Sequence, residues 1–266
     1  MSTKIAIGAH VDQTDPVAEA KARGTTLVQF FLGDPQGYKG PEFRYAGGAA
    51  GLKADAEAAG VDLYVHAPYI VNVATTNNRI RIPSRKLLQQ HLDAAAEIGA
   101  KGLIVHGGHV NTSDDPAQGF DNWRKAVEAT DLKIPLLLEN TAGGENAMAR
   151  QLDRIAGTWA AIQEADGSEN VGFCLDTCHA WAGGIKLGEA VEQLHAITGR
   201  IDLVHANDSR DAFDSGADRH ANFGSGQLDP DEFVSVVRDA NAPVICETPG
   251  GAAEHSEDFA WLRARL

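Results

Sequence analysis

The stretch VGFCLDTCHAWAGG (171–184) begins as a buried strand, Val171 to Leu175, and then delivers Asp176 and His179 within one turn. An apolar strand gains nothing from ending on a carboxylate and an imidazole, so the pair points to a site at the strand's C-terminal end. Runs of the same kind recur as KIAIGA (4–9), LVQFF (27–31), DLYVH (62–66), GLIVH (102–106), IPLLLE (134–139), DLVHA (202–206) and PVICE (243–247). Amphipathic stretches lie between them, such as PSRKLLQQHLDAAAEIGA (83–100) and DPDEFVSVVRDAN (229–241). Near-continuous apolar strands alternating with helices indicate parallel pairing, with both faces of the sheet covered. Eight such units in 266 residues fit a single α/β domain, residues 1–266, folded as one closed (β/α)8 TIM barrel. An open doubly wound sheet is the rival arrangement.

The totals agree with a large soluble core: apolar residues make up 43% of the chain, and its 28 glycines suit many short turns. The opening MSTKIAIGAHVDQ lacks a basic region followed by a long apolar run, so no signal peptide is expected, and no stretch is apolar enough to span a membrane. Three cysteines (Cys174, Cys178, Cys246) imply no disulfide framework and a reducing, cytoplasmic setting. The net charge of −14 by itself argues against a generic nucleic-acid binder, whose footprint is normally basic. A nucleic-acid substrate therefore requires a local source of positive charge.

Reading the ends of the runs from the third onward gives His66, His106, Glu139, Asp176, His205 and Glu247. In a barrel each of these faces the C-terminal mouth, where catalytic groups gather. His, Asp and Glu make up about one residue in six, so six consecutive hits are a poor product of chance. The segment D218-R-H220 adds Asp218 and His220 in alternation, and His179 completes a set of five histidines and four carboxylates. Neutral imidazole and carboxylate suit Zn²⁺, Mn²⁺ or Fe²⁺, and nine such groups exceed what one ion can use. Crowded carboxylates without cations would also repel one another.

Each residue has a plainer role open to it. A lone strand-end histidine is most often a hydrogen-bonded structural residue, Glu139 or Asp176 could cap the following helix, and Asp218 and His220 could be ordinary loop residues. None of these roles explains convergence at one mouth. Cys174 falls mid-strand and Cys178 lacks C-x-x-C spacing, so a thiolate site is disfavoured. His91 and His195 read as helix-surface residues, while His10 and His109 stand near enough to the mouth to donate hydrogen bonds to the ligands.

LLLENTAGG (136–144), GFCLDTCHAWAGG (172–184), VHANDSR (204–210), DRHANFGSG (218–226) and ICETPG (245–250) resemble the endonuclease IV family of apurinic/apyrimidinic endonucleases, as do IGAHV (7–11) and VHAPYIVNVA (65–74). The resemblance runs from residue 5 to about residue 250. It implies a TIM barrel with a trinuclear zinc site that cleaves DNA 5′ to abasic sites, leaving a 3′-hydroxyl and a 5′-deoxyribose phosphate. By motif position it implies one ion on His66, His106 and Glu139, and a second on Glu139, Asp176, His205 and Glu247. A third falls to His179, Asp218 and His220. The resemblance also implies that Glu139 bridges and orients the attacking metal hydroxide; Zn²⁺ is expected at three per chain, with Mn²⁺ as the alternative. The partner implied is double-stranded DNA with abasic sites, bound by a monomer, and Tyr69 resembles the family residue beside the extruded sugar.

Two loops depart from the family pattern. DQTDP (12–16) replaces a Gly-Gly pair, and GDPQGYKGP (33–41) lacks an inserting arginine, leaving either a smaller wedge such as Gln36 or Tyr38 or a less bent duplex. Three divalent ions bring −14 to −8, and NRIRIPSRK (78–86) adds Arg79, Arg81, Arg85 and Lys86 in a loop and helix start, with Lys39, Arg44, Arg210 and Arg219 on other mouth-side loops. The competing readings are a TIM-barrel sugar isomerase or epimerase, which needs fewer ions, and a small-molecule metallo-hydrolase that has lost its DNA loops.

Overall fold

The computed structural model describes residues 5–266; Lys4, at the start of the first apolar run, lies outside the described residues. The strands are β1 (Ile7–His10), β2 (Leu27–Phe31), β3 (Asp62–His66), β4 (Leu103–His106), β5 (Leu136–Glu139), β6 (Val171–Asp176), β7 (Leu203–His205), β8 (Asp208–Ser209), β9 (His220–Ala221) and β10 (Val244–Cys246). Eight of them close a parallel barrel in the order β1-β10-β7-β6-β5-β4-β3-β2. The pairing of Ile7 with Val244 and of Gly8 with Ile245 shuts the ring and rules out the open sheet. β8 and β9 stand apart as a short antiparallel ribbon in which Ser209 pairs with His220.

The helices start and stop where local chemistry dictates. Helices Pro16–Arg23, Pro116–Glu128 and Pro230–Ala240 each begin with Asp-Pro, the aspartate accepting backbone N–H bonds and the proline occupying the first turn. Helix Asn78–Glu97 begins five residues before the run at 83, because the Asn77 side chain accepts from the Arg79 N–H and starts the helix ahead of Pro83. The basic segment 78–86 is therefore helical rather than part loop. His91 is also not on the surface. It falls in the stripe Ser84, Leu87, Leu88, His91, Leu92, Ala95 and is 1% exposed, with neither ring nitrogen hydrogen-bonded. His195 is exposed as expected.

Strand periodicity divides the core in two. Outward residues such as Val28, Phe30, Val65, Leu138, Phe173 and Val244 pack under the helices. Inward residues Leu27, Tyr64, Ile104, Leu137, Cys174, Leu203 and Ile245 form a separate apolar layer inside the ring. β1 contributes Gly8 to this layer, and a Cβ there would sit 2.0 Å from the Leu27 carbonyl oxygen.

Candidate metal centre

Two residues beyond each member of the apolar layer, the same face of each strand presents a polar side chain: Gln29, His66, His106, Glu139, Asp176, His205 and Glu247, with His10 two residues after Gly8. The alternation of a strand thus stacks a ring of donors directly on an apolar floor. Ligand atoms of His66, His106 and Glu139 lie within 4.8 Å of one another, as do those of Glu139, Asp176, His205 and Glu247. Both groups match those expected from motif position, and Glu139 belongs to each. The remaining residues gather with one refinement: Asp176 joins His179 and His220 within 4.8 Å, while Asp218 lies 3.2 Å from His179 Nε2 and 3.0 Å from His220 Nε2. The Cys178 sulfur comes within the same distance of Asp218 and His220, yet burial pushes its thiol up to about 12.

Hydrogen bonds behind the rings aim them. His66 Nδ1 lies 2.7 Å from the Ala67 carbonyl, His179 Nδ1 2.9 Å from the Asn140 carbonyl and His220 Nδ1 3.2 Å from the Glu247 carbonyl. A carbonyl only accepts, so in each neutral ring the proton sits on Nδ1 and the Nε2 lone pair faces the cluster. The Nε2 atoms of His179 and His220 are buried with no aligned hydrogen-bond partner, even though Asp218 is close to both. Orphaned lone pairs converging among carboxylates are what divalent cations would satisfy, and the N/O donor set suits zinc. Glu139, fully buried, has one oxygen 3.0 Å from His66 Nε2 and 3.3 Å from His106 Nε2, and the other 2.9 Å from His205 Nδ1 and 3.3 Å from His179 Nδ1.

The carboxylates and imidazoles of the cluster shift one another strongly. Burial pushes Glu139 up, but the His205 and His106 imidazoles outweigh it and hold the carboxyl well below its usual range. For His220, burial pushes down while Asp218, Asp176 and Glu247 carry it to about 9. Asp176 is raised, chiefly by burial. It also caps helix Thr177–Gly183: one oxygen accepts the His179 N–H at 2.6 Å, and the other accepts from the Asn207 amide at 2.7 Å. Its capping role and its place in the cluster coexist.

Asp218 and His220 reach the mouth because two buried carboxylates order their segment. Asp208 accepts from the backbone N–H groups of Ser209, Gly224, Gly226 and Leu228, at 2.7–3.1 Å. Asp258 accepts from the Phe223 N–H at 2.9 Å and from the Asn222 amide at 2.9 Å. Asp208, Asp258, Asn207 and Gln29 are neighbours of the candidate ligands to which the sequence reading gave no role, although Asn207 and Asp208 lie within the VHANDSR block. Gln29 alone left a signal, as a polar residue in the inward register of an apolar strand.

Around this centre Tyr69 stands 52% exposed, its ring stacked at 28° on His106 with centroids 5.6 Å apart. It separates a cavity of about 420 Å³ bordered by Tyr38, Ile80, His106 and Gly143 from one of about 230 Å³ bordered by His10, His220 and Glu247. Gln36 and Tyr38 are exposed on the rim. Arg81 is tied to the Thr75 carbonyl and to Asn78, Arg85 to the Asn122 carbonyl, and Arg219 to Asp211. Among the described residues Arg79 and Arg210 are exposed and carry no ion pair. His10 approaches Glu247 at 3.3 Å, whereas His109 bonds Asn72 rather than any ligand.

A family profile described as a xylose isomerase-like TIM barrel matches residues 17–265. Probable endonuclease 4 of Mycobacterium marinum is 54% identical over 260 residues, covering 98% of each chain. The chain belongs to the endonuclease IV family. The crystal structure of endonuclease IV from Thermus thermophilus superposes with a TM-score of 0.82 at 27% identity, over 98% of both chains. A D-tagatose 3-epimerase-like protein reaches 0.80 at 19% identity over 98% of this chain and 97% of its own, a likeness of fold alone.

In this member of the endonuclease IV family the two departing loops are braced against each other. Gln13 accepts the Gly33 N–H at 3.0 Å, and Asp15 is spent on capping helix Pro16–Arg23. The second loop in turn rests on Tyr69, whose N–H donates to the Pro35 carbonyl at 2.8 Å. Among the described residues no helix is long and apolar enough to cross a membrane.

Proposed function

We propose that the chain is a metal-dependent DNA-repair endonuclease that hydrolyses the phosphodiester on the 5′ side of abasic sites, giving a 3′-hydroxyl and a 5′-deoxyribose phosphate. The observation that carries this reading is the gathering of nine donor side chains at one barrel mouth, with two imidazole nitrogens left without partners. His66, His106 and Glu139 would hold one Zn²⁺, and Glu139, Asp176, His205 and Glu247 a second. His179, Asp218 and His220 would hold a third, with Asp176 at its edge; Mn²⁺ is the alternative occupant. Bound divalent ions supply Lewis acidity, which activates water near neutral pH and offsets charge building on the phosphoryl oxygens.

The chain's own part is positional. Glu139 fixes the spacing between two ion sites through one carboxylate, and the carbonyls behind His66, His179 and His220 keep each lone pair directed inward. The apolar floor excludes water from below. Tyr69, Tyr38 and Gln36 would border the damaged nucleotide, and Arg79, Arg81, Arg210 and Arg219 would face the backbone, Arg79 and Arg210 most directly because their charges are unspent. The protein would act as a monomeric single-domain barrel in the cytoplasm.

A duplex carrying one tetrahydrofuran abasic analogue, incubated with zinc-loaded protein, tests the reading. Nicking on the 5′ side of the analogue, with two or more ions per chain by elemental analysis, is the expected result. No nicking across a range of divalent metals overturns it, and epimerisation of a ketose in its place would establish the sugar-isomerase alternative.

A further inference from the structure

Of the side chains directly above the apolar floor on β2–β7 and β10, six are His, Asp or Glu, and the seventh is Gln29 on β2. It is fully buried and lies opposite His10 and Tyr64 in the barrel register. Its amide oxygen is 2.8 Å from His205 Nε2, and its amide nitrogen is 2.6 Å from Glu247 Oε1 and 3.0 Å from His10 Nδ1.

Chemistry fixes which way the amide points. A carboxylate accepts and does not donate, so Glu247 must meet the –NH₂ end, and the carbonyl end must therefore meet His205. A carbonyl accepts in turn, so His205 carries its proton on Nε2. Its Nδ1 lone pair is left facing Glu139 Oε1 at 2.9 Å and Glu247 Oε2 at 3.6 Å. One amide thus sets the tautomer of His205 and also occupies one oxygen of Glu247, turning the other toward the cluster. An acid at this place would meet Glu247 as a like charge, and an apolar residue would leave both groups unaimed.

We propose that Gln29 is the positioning residue of the second ion site, fixing His205 and Glu247 for a divalent cation without itself touching cation or substrate. The proposal rests on the metal-dependent reading above. Outer partners of this kind change metal affinity by about 10–100-fold when removed.

The test is a zinc titration of the full chain against a chromophoric chelator, with Co²⁺ substitution as a spectroscopic readout, for the wild type, Gln29→Ala and Gln29→Met. Methionine keeps the volume, in case the alanine cavity prevents folding. The expected result is about 10–100-fold weaker binding of one ion, a changed Co²⁺ visible spectrum and an unchanged apo circular-dichroism spectrum, with the other ions held as in the wild type. Wild-type affinity for every ion in a folded Gln29→Met chain overturns the role of Gln29 alone. A wild-type chain holding fewer than two ions overturns the metal-dependent reading and this proposal together.

Discussion

The centre of the barrel mouth and its rim obey different rules. At the centre the polar side chains are mostly buried and held by one another: Glu139 meets four imidazoles, Asp176 a backbone N–H and an amide, and His205 a carboxylate and an amide. At the rim the charged side chains are long and exposed, and several are neutralised by neighbours, as Arg219 is by Asp211. Preorganisation is concentrated where chemistry would occur, while the edge keeps few unspent positive charges on a body of net charge −14. A duplex would therefore be held by shape and a small number of phosphate contacts more than by a broad basic field.

The sharpest way to break this contrast is at its hub. Glu139→Gln keeps the shape of the side chain but removes the charge, and should lower the rate of incision by about 10²–10³-fold or more in a single-turnover assay. Retained activity would show that the centre is not organised around this carboxylate. Next is the segment joining centre to rim. Asp208→Ala strips four backbone N–H groups of their acceptor, and should cost about 3 kcal/mol in urea unfolding. It should also leave the protein one ion short of the wild type by elemental analysis.

His91 supplies a control away from both regions. Burial lowers its pKa to about 4, against about 6.5 in an unfolded chain, so below 6.5 the unfolded state takes up a proton that the folded state refuses. Its contribution to stability is complete above that value and drains away as pH falls toward 4. His91→Leu should remove about 2 kcal/mol of the stability lost between about pH 7 and pH 5, measured by urea melts at both. An unchanged slope would place the acid sensitivity in the mouth instead. The smallest effects belong to the rim: Arg79→Ala should reduce the salt slope of binding to abasic duplex by about one, and Arg219→Ala should shift affinity by no more than about twofold.

The same contrast explains what the sequence could tell. LVQFF, DLYVH and VGFCLD coincide with whole strands, because a run covered on both faces has to be continuously apolar, and the two-residue period then fixes which polar residue follows inside the ring. Eight of the nine candidate ligands are legible on those terms or through the Asp218–His220 alternation, and His179 through its place one turn after Asp176. Helix starts were less so: the cap at Asn77 outweighed Pro83 as a boundary signal. His91 looked polar and exposed, but helical phase placed it in the core. Gln29 carries no ligand signature, because an amide is not a usual ligand type. The ties of Arg81, Arg85 and Arg219 were out of reach, since each depends on where a loop or a neighbouring element comes to lie.

The apolar floor has one further consequence. With Leu27, Tyr64, Ile104, Leu137, Cys174, Leu203 and Ile245 packed beneath the donors, the described residues leave the barrel no rear exit. Any ion would have to enter and leave by the opening that a duplex would cover, so cargo and cofactor would share a single doorway. An inert abasic duplex should therefore slow stripping by a chelator, and undamaged DNA, seated less deeply, should slow it less.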